Sequence, residues 1–134
     1  MKIHTEGLNC SGCNNKLLTA DPYLINWFSE LKKVFPTAHV SWAFRDKESQ
    51  DEAYTAGLSF STWPESKHNY MINDKPNSLA LDLFEINLVG AASFRPSFYT
   101  RVYEWSLKSN FNIKWGGYFL TLRDYNHFYI ESQT

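Results

Sequence analysis

Apolar residues recur at helical spacing along Leu24, Trp27, Phe28, Leu31, Val34 and Phe35. Asp21 can cap this segment, Pro22 suits its first turn, and Pro36 ends it. The spacing predicts a core-facing helix. His39-Val40-Ser41-Trp42-Ala43-Phe44-Arg45 then alternates like a strand. Asp46 is placed to cap a second helix that runs to about Ala56, with Gly57 as its stop. Residues 58–78 show no periodicity and carry Pro64, Asn69, Asn73, Asp74, Pro76 and Asn77, the composition of a long loop. Leu79-Ala80-Leu81-Asp82-Leu83-Phe84-Glu85-Ile86 reads as a buried strand interrupted by one carboxylate. A third helix is predicted from Ser97 to Ser109, with Phe98, Val102, Trp105 and Leu107 as its apolar positions. Phe111 to Glu131 reads as two short strands around a turn, with a bend at Gly116-Gly117 and strand character again at His127-Phe128-Tyr129-Ile130. Residues 1–20 are turn-rich and weakly patterned, and are expected to be irregular. Helices and strands in this order indicate an α+β fold, a mostly antiparallel sheet with helices packed on it.

Composition narrows the function. The chain has 134 residues, which fits one domain spanning 1–134. It is 43% hydrophobic and 20% charged, with 10 Phe, 8 Tyr and 5 Trp to fill a small core and line a cleft. A formal net charge of -1 argues against nonspecific nucleic-acid binding, and no Lys/Arg run suggests an anionic membrane surface. Met1 to Glu6 lacks an apolar region of signal-peptide type, and no stretch approaches the length of a membrane span. The expectation is a monomer made in the cytoplasm.

Cys10 and Cys13 form a Cys-x-x-Cys pair. It reads as a redox pair, as half of a zinc site with only His4 nearby, or as two thiols in a loop-like segment. The last is favoured, because no second cysteine pair exists.

The residues with chemical potential lie further on. A carboxylate buried inside an apolar strand needs a partner or a metal, which singles out Asp82. The long loop holds His68, and Asp124-Tyr125-Asn126-His127 brings an acid near a second histidine if that segment makes one turn. Two imidazoles and a carboxylate form a good zinc set, and catalytic zinc keeps three protein ligands and one open position. Asp124 would then be free as general base. The bland alternative is an exposed His68, a strand His127, and an Asp82 paired with Arg45 or Arg123.

Ser66-x-His68, Ala80-Leu81-Asp82-Leu83, Trp115-Gly116-Gly117 and Asp124-x-x-His127-Phe128 together resemble the peptidase M15 family. Phe44-Arg45-Asp46 with Gln50 resembles that family's Tyr-Arg-Ser…Gln stretch, so the likeness runs from about residue 42 to 129. The family holds D-Ala-D-Ala carboxypeptidases and dipeptidases, and the L-alanyl-D-glutamate endopeptidases of phage endolysins. The resemblance implies the Hedgehog/DD-peptidase fold, with Zn2+ on His68, Asp82 and His127. It implies Asp124 as general base and Arg45 as the cation near the substrate carbonyl or oxyanion. Ser66, Gln50 and Trp115 are further candidates for substrate contact, Gln50 also for supporting Arg45 from the helix behind it.

Two features depart from the family pattern. Thirteen residues without glycine, Asn69 to Leu81, separate His68 from Asp82, and this insert is expected to shape substrate access beside the metal. Asp46 replaces a serine after Arg45, where it either pairs with Arg45 or, as favoured, caps the following helix.

The resemblance implies peptidoglycan stem peptides as substrates, most simply through an endolysin-type L-alanyl-D-glutamate endopeptidase. Such a protein, free lysin or virion component, would reach the wall only after release. The alternatives are a D-alanyl-D-alanine carboxypeptidase, with Arg95, Arg101 or Arg123 as the extra cation it needs, and a non-catalytic zinc-containing wall-binding module.

Overall fold

The computed structural model describes residues 11–118 and 123–131. Helix α1 is Ser11–Leu17, α2 Pro22–Val34, α3 Lys47–Thr55 and α4 Pro96–Lys108. The strands are β1 Ala38–Trp42, β2 Met71–Ile72, β3 Lys75–Pro76, β4 Ala80–Ile86, β5 Ala92–Ser93, β6 Lys114–Trp115 and β7 His127–Tyr129. The main sheet runs β1-β4-β7-β6, with β5 also on β4, and every pairing is antiparallel. This is the expected α+β arrangement.

Strand β4 is central, and its alternation decides what each face does. Leu81 and Leu83 point into the core, where Leu81 pairs across with Phe128. Asp82 points the other way, opposite His127 on one neighbouring strand and Trp42 on the other. The core face is covered by α2, through Leu24, Trp27, Phe28 and Leu31, and by α4, through Phe98, Tyr99 and Val102. Trp27 and Phe128 pack with ring centroids 5.3 Å apart, and the Trp27 indole N–H donates to Ser106 Oγ at 2.8 Å, tying α2 to α4. Burying a side chain such as Phe128 stabilises by roughly 1.5–3 kcal/mol.

The predicted helices α2, α3 and α4 are present with ends within a residue or two of expectation. Asp21 and Asp46 each accept a main-chain N–H as helix caps, from Tyr23 and Ser49 respectively. Asp46 is therefore a cap, and its hydrogen bonds with Ser49 hold its carboxyl below the ordinary value. Val34 and Leu107 face solvent, while Tyr99 is buried and donates its hydroxyl to Leu83 O at 2.8 Å.

Three expectations need correction. The first twenty residues are not all irregular, because 11–17 form α1. Cys13 and Leu17, one helical turn apart, bury themselves against the core. Cys13 is thus a buried helix residue, its Sγ 3.4 Å from His39 Nδ1 and accepting the Val40 N–H at 3.5 Å. Cys10 and His4 lie outside the described residues.

Strand β1 also ends at Trp42 rather than Arg45, because the next main-chain groups bond elsewhere. Ala43 O accepts from Ser78 Oγ at 3.0 Å and lies 2.6 Å from His68 Nδ1, and Arg45 N donates to His68 O at 2.9 Å.

Finally, the insert after His68 forms the β2–β3 hairpin and turns away from the cleft described below. Asn77 Nδ2 donates to Asp21 Oδ2, and Ser78 exchanges main-chain hydrogen bonds with Thr19 and Asp21, so the insert braces the α1–α2 junction.

A candidate metal centre in an open cleft

His68 sits in a 3-10 turn over Lys67–Asn69 that is closed at both ends of a capping box. Ser66 Oγ accepts the His68 N–H at 3.1 Å, and Asn69 Oδ1 accepts the Ser66 N–H at 3.1 Å. Asn69 Nδ2 reaches on to Arg45 O and Gln50 Oε1. Leu79 N donates to Lys67 O, which pins the turn to the start of β4. The turn that carries His68 is therefore held on both sides by hydrogen bonds, although it lies in a long connection.

The imidazole of His68 is 2% exposed. Its Nδ1 donates to Ala43 O, which places one ring proton there and leaves Nε2 as the atom that holds either the second proton or a metal. That Nε2 is buried without a hydrogen-bond partner, yet it lies 3.2 Å from Asp82 Oδ1. His127 Nδ1 is 3.0 Å from the same oxygen. Electron-rich atoms converging in a buried site call for a cation between them. Ligands about 2.0–2.1 Å from a tetrahedral zinc stand roughly 3.3 Å apart, close to both separations. All three donor atoms lie within 4.8 Å of one another. The residues present fit a divalent metal.

Asp82 is the hub of the site. Its Oδ1 faces the two imidazoles, and its Oδ2 accepts from Arg45 Nη2 at 3.2 Å. Burial pushes its carboxyl up, but His68 and His127, by charge and hydrogen bond, outweigh burial and hold it well below the usual carboxylate range. Arg45 is also buried, which lowers its pKa against the opposing pull of Asp82 and Asp124. Its guanidinium lies 5.0 Å over the Trp42 ring, Nη1 donates to Gln50 Oε1 at 3.4 Å, and Nε has no partner.

Asp124 reaches the site by a turn rather than a helix. His127 N donates to Asp124 O at 3.2 Å, and Asp124 N donates to Gly116 O at 2.9 Å. Burial pushes its carboxyl above the ordinary value; His127 opposes that and Asp82 adds to it. A β-carbon at Gly116 would collide with the main-chain oxygen of Asp124 and lie 2.9 Å from its Cβ. Gly116→Ala should therefore cost about 1–3 kcal/mol of stability and displace Asp124. Thermal unfolding checks the first effect, and a structure of the variant checks the second.

The cluster opens into a cleft of about 860 Å³ whose lining includes His68, Asp82, His127, Asp124, Arg45 and Ser66. Among the other candidates, Gln50 and Trp115 stand behind this wall. Gln50 is fully buried and holds Arg45, Asn69, Ser59 and Ser61 together. Trp115 stacks on Phe128 and donates its indole N–H to Tyr125 O at 2.7 Å. Neither is among the residues that line the cleft. Arg95 pairs with Glu85, Arg101 lies over Phe35, and Arg123 donates to Gly117 O; none of the three lines the cleft. The sequence reading missed Lys67, Tyr129 and the aromatic rim of Trp42, Phe60 and Phe94. Nothing local marks them, because they come together only through strand register and loop packing.

No helix among the described residues is long and apolar enough to cross a membrane. No protein-family model matches the chain, and no curated protein matches it. Among solved structures, the fold is similar to the Serratia marcescens L-Ala D-Glu endopeptidase ChiX, with a TM-score of 0.70 at 22% sequence identity, over 90% of this chain and 86% of that one.

Proposed function

We propose that this protein is a zinc-dependent peptidase of peptidoglycan stem peptides, acting as an L-alanyl-D-glutamate endopeptidase. The observation that carries the reading is the convergence of His68 Nε2 and His127 Nδ1 on Asp82 Oδ1 in an open cleft that Asp124 and Arg45 also line. The likeness in fold to an L-Ala D-Glu endopeptidase supports the choice of substrate.

In this reading His68, Asp82 and His127 hold zinc, a set that suits that ion. When bound, zinc polarises the scissile carbonyl and lowers the pKa of a water toward ~7. Asp124 takes the water proton and then delivers it to the leaving amine. Its raised pKa suits a group that must both accept and return a proton. Arg45 is held by Asp82 and Gln50 with its guanidinium at the cleft, where a fixed cation stabilises negative charge developing on the carbonyl oxygen. Ser66 shapes the floor by fixing the His68 turn.

Mass spectrometry of purified peptidoglycan, incubated with zinc-loaded protein with and without a chelator, tests this. The expected result is chelator-sensitive fragments with a new N-terminal D-Glu. Loss of D-Ala alone would shift the reading to a carboxypeptidase. An unchanged wall would shift it to a binding module.

A further inference from the structure

Among the described residues, the cleft lining contains two cations, Arg45 and Lys67, and four acids, Glu65, Asp82, Asp124 and Glu131. Arg45 is 6% exposed and committed to Asp82 and Gln50. Lys67 differs. Its main chain is pinned next to His68, while its side chain is 32% exposed. Its ammonium donates to Glu131 O at 3.0 Å, more distantly to Glu131 Oε2 at 3.4 Å, and lies 6.0 Å from the Tyr129 ring centroid. Tyr129 in turn stacks on His127, with centroids 5.3 Å apart. His127, Tyr129 and Lys67 thus form one continuous wall leading from the candidate metal centre to a cation.

An ammonium has three N–H donors. Here one goes to a fixed main-chain oxygen and one to a carboxylate that is itself 59% exposed. An exposed pair of this kind contributes little and exchanges readily. An incoming carboxylate could therefore replace Glu131 without leaving a buried charge behind, and the main-chain contact would keep the ammonium in place. A peptide carrying a carboxylate into a cleft lined by Glu65, Asp124 and Glu131 needs such a compensating charge.

We infer that Lys67 is a specificity-determining residue that binds a carboxylate of the stem peptide, the free α-carboxylate of D-glutamate. The inference rests on the endopeptidase reading above. That carboxylate lies two bonds from the nitrogen of the scissile bond, within reach of the wall that flanks the metal ligands. Amidation to D-isoglutamine removes the charge and keeps the shape, so the two substrates form a matched pair.

The test compares L-Ala-γ-D-Glu-L-Lys with its D-isoglutamine counterpart on zinc-loaded protein. Wild type is expected to favour the carboxylate peptide in KM on the order of tenfold. Lys67→Gln should bring that ratio to about one, Lys67→Arg should restore much of it, and Lys67→Glu should invert it, each with zinc content retained. A wild type that cleaves both equally, or a ratio unchanged in Lys67→Gln, overturns the role of Lys67 and leaves the endopeptidase reading intact. Lys67-dependent loss of terminal D-Ala from a pentapeptide would assign the carboxylate to the chain end and overturn the D-glutamate assignment. Cleavage of neither peptide overturns the endopeptidase reading and this inference with it.

Discussion

Asp124→Ala should keep its zinc and lose turnover by on the order of 10²–10⁴-fold, the usual contribution of a positioned general acid–base. Metal retention is expected because Asp124 is not among the three donors that converge; those are His68, Asp82 and His127. Loss of rate is expected because Asp124 is the remaining acid whose charge couples to His127, Asp82, His68 and Arg45 together. Glu65 and Glu131 also line the cleft, but Asp124 alone of these three is joined by its own main chain to His127, whose N–H it accepts at 3.2 Å. Metal analysis and single-turnover rates on the same preparation separate the two effects. A zinc-replete Asp124→Ala protein with near-normal rate would remove Asp124 from the mechanism. Folding should be little disturbed, since the turn is held by the main-chain groups of Asp124, Gly116 and His127 rather than by the carboxylate.

The elements with strong periodicity were legible before the fold was known. Leu24, Trp27, Phe28 and Leu31 sit where helical spacing puts them, and Asp46 caps its helix as the local pattern suggests. The nearness of His68, Asp82 and His127 was legible through motif order, and Asp82 stood out by itself as a charge inside an apolar strand. What was not legible depends on distant partners. Helix α1 hides among Gly, Ser and Asn residues, and is marked only by Cys13 and Leu17 finding the core. The early end of β1 follows from hydrogen bonds to His68 and Ser78, 25 and 35 residues away from Ala43. The insert was expected beside the metal by its nearness in sequence. It turns to the α1–α2 junction because Asn77 finds Asp21. Lys67 reads as an ordinary loop lysine until β7 brings Tyr129 and Glu131 beside it.

Asp82→Ala should damage both the site and the fold. It removes the carboxylate on which both imidazoles converge, so zinc binding should fall below detection in a titration that wild type saturates. It also strands Arg45, whose side chain is only 7% exposed against 8% for Asp82. Breaking a buried pair from one side costs about 3–5 kcal/mol, because the remaining charge stays desolvated. That is a large part of the roughly 5–15 kcal/mol that stabilises a typical domain. Denaturant unfolding of the metal-free proteins isolates the effect from zinc. Arg45→Met combined with Asp82→Ala should recover much of the loss, because no buried charge then lacks a partner. A double variant no more stable than Asp82→Ala alone would show that Arg45 is not the source of the cost. The pH dependence has a definite sign. The folded-state pKa of Asp82 lies well below its unfolded value, so its contribution is fully present above the unfolded carboxylate pKa of about 3.9. It is lost as pH falls below that toward the folded value. The stability advantage of metal-free wild type over Asp82→Ala should therefore begin to shrink as the solution is acidified below about pH 4, and should keep shrinking as the pH falls toward the folded value.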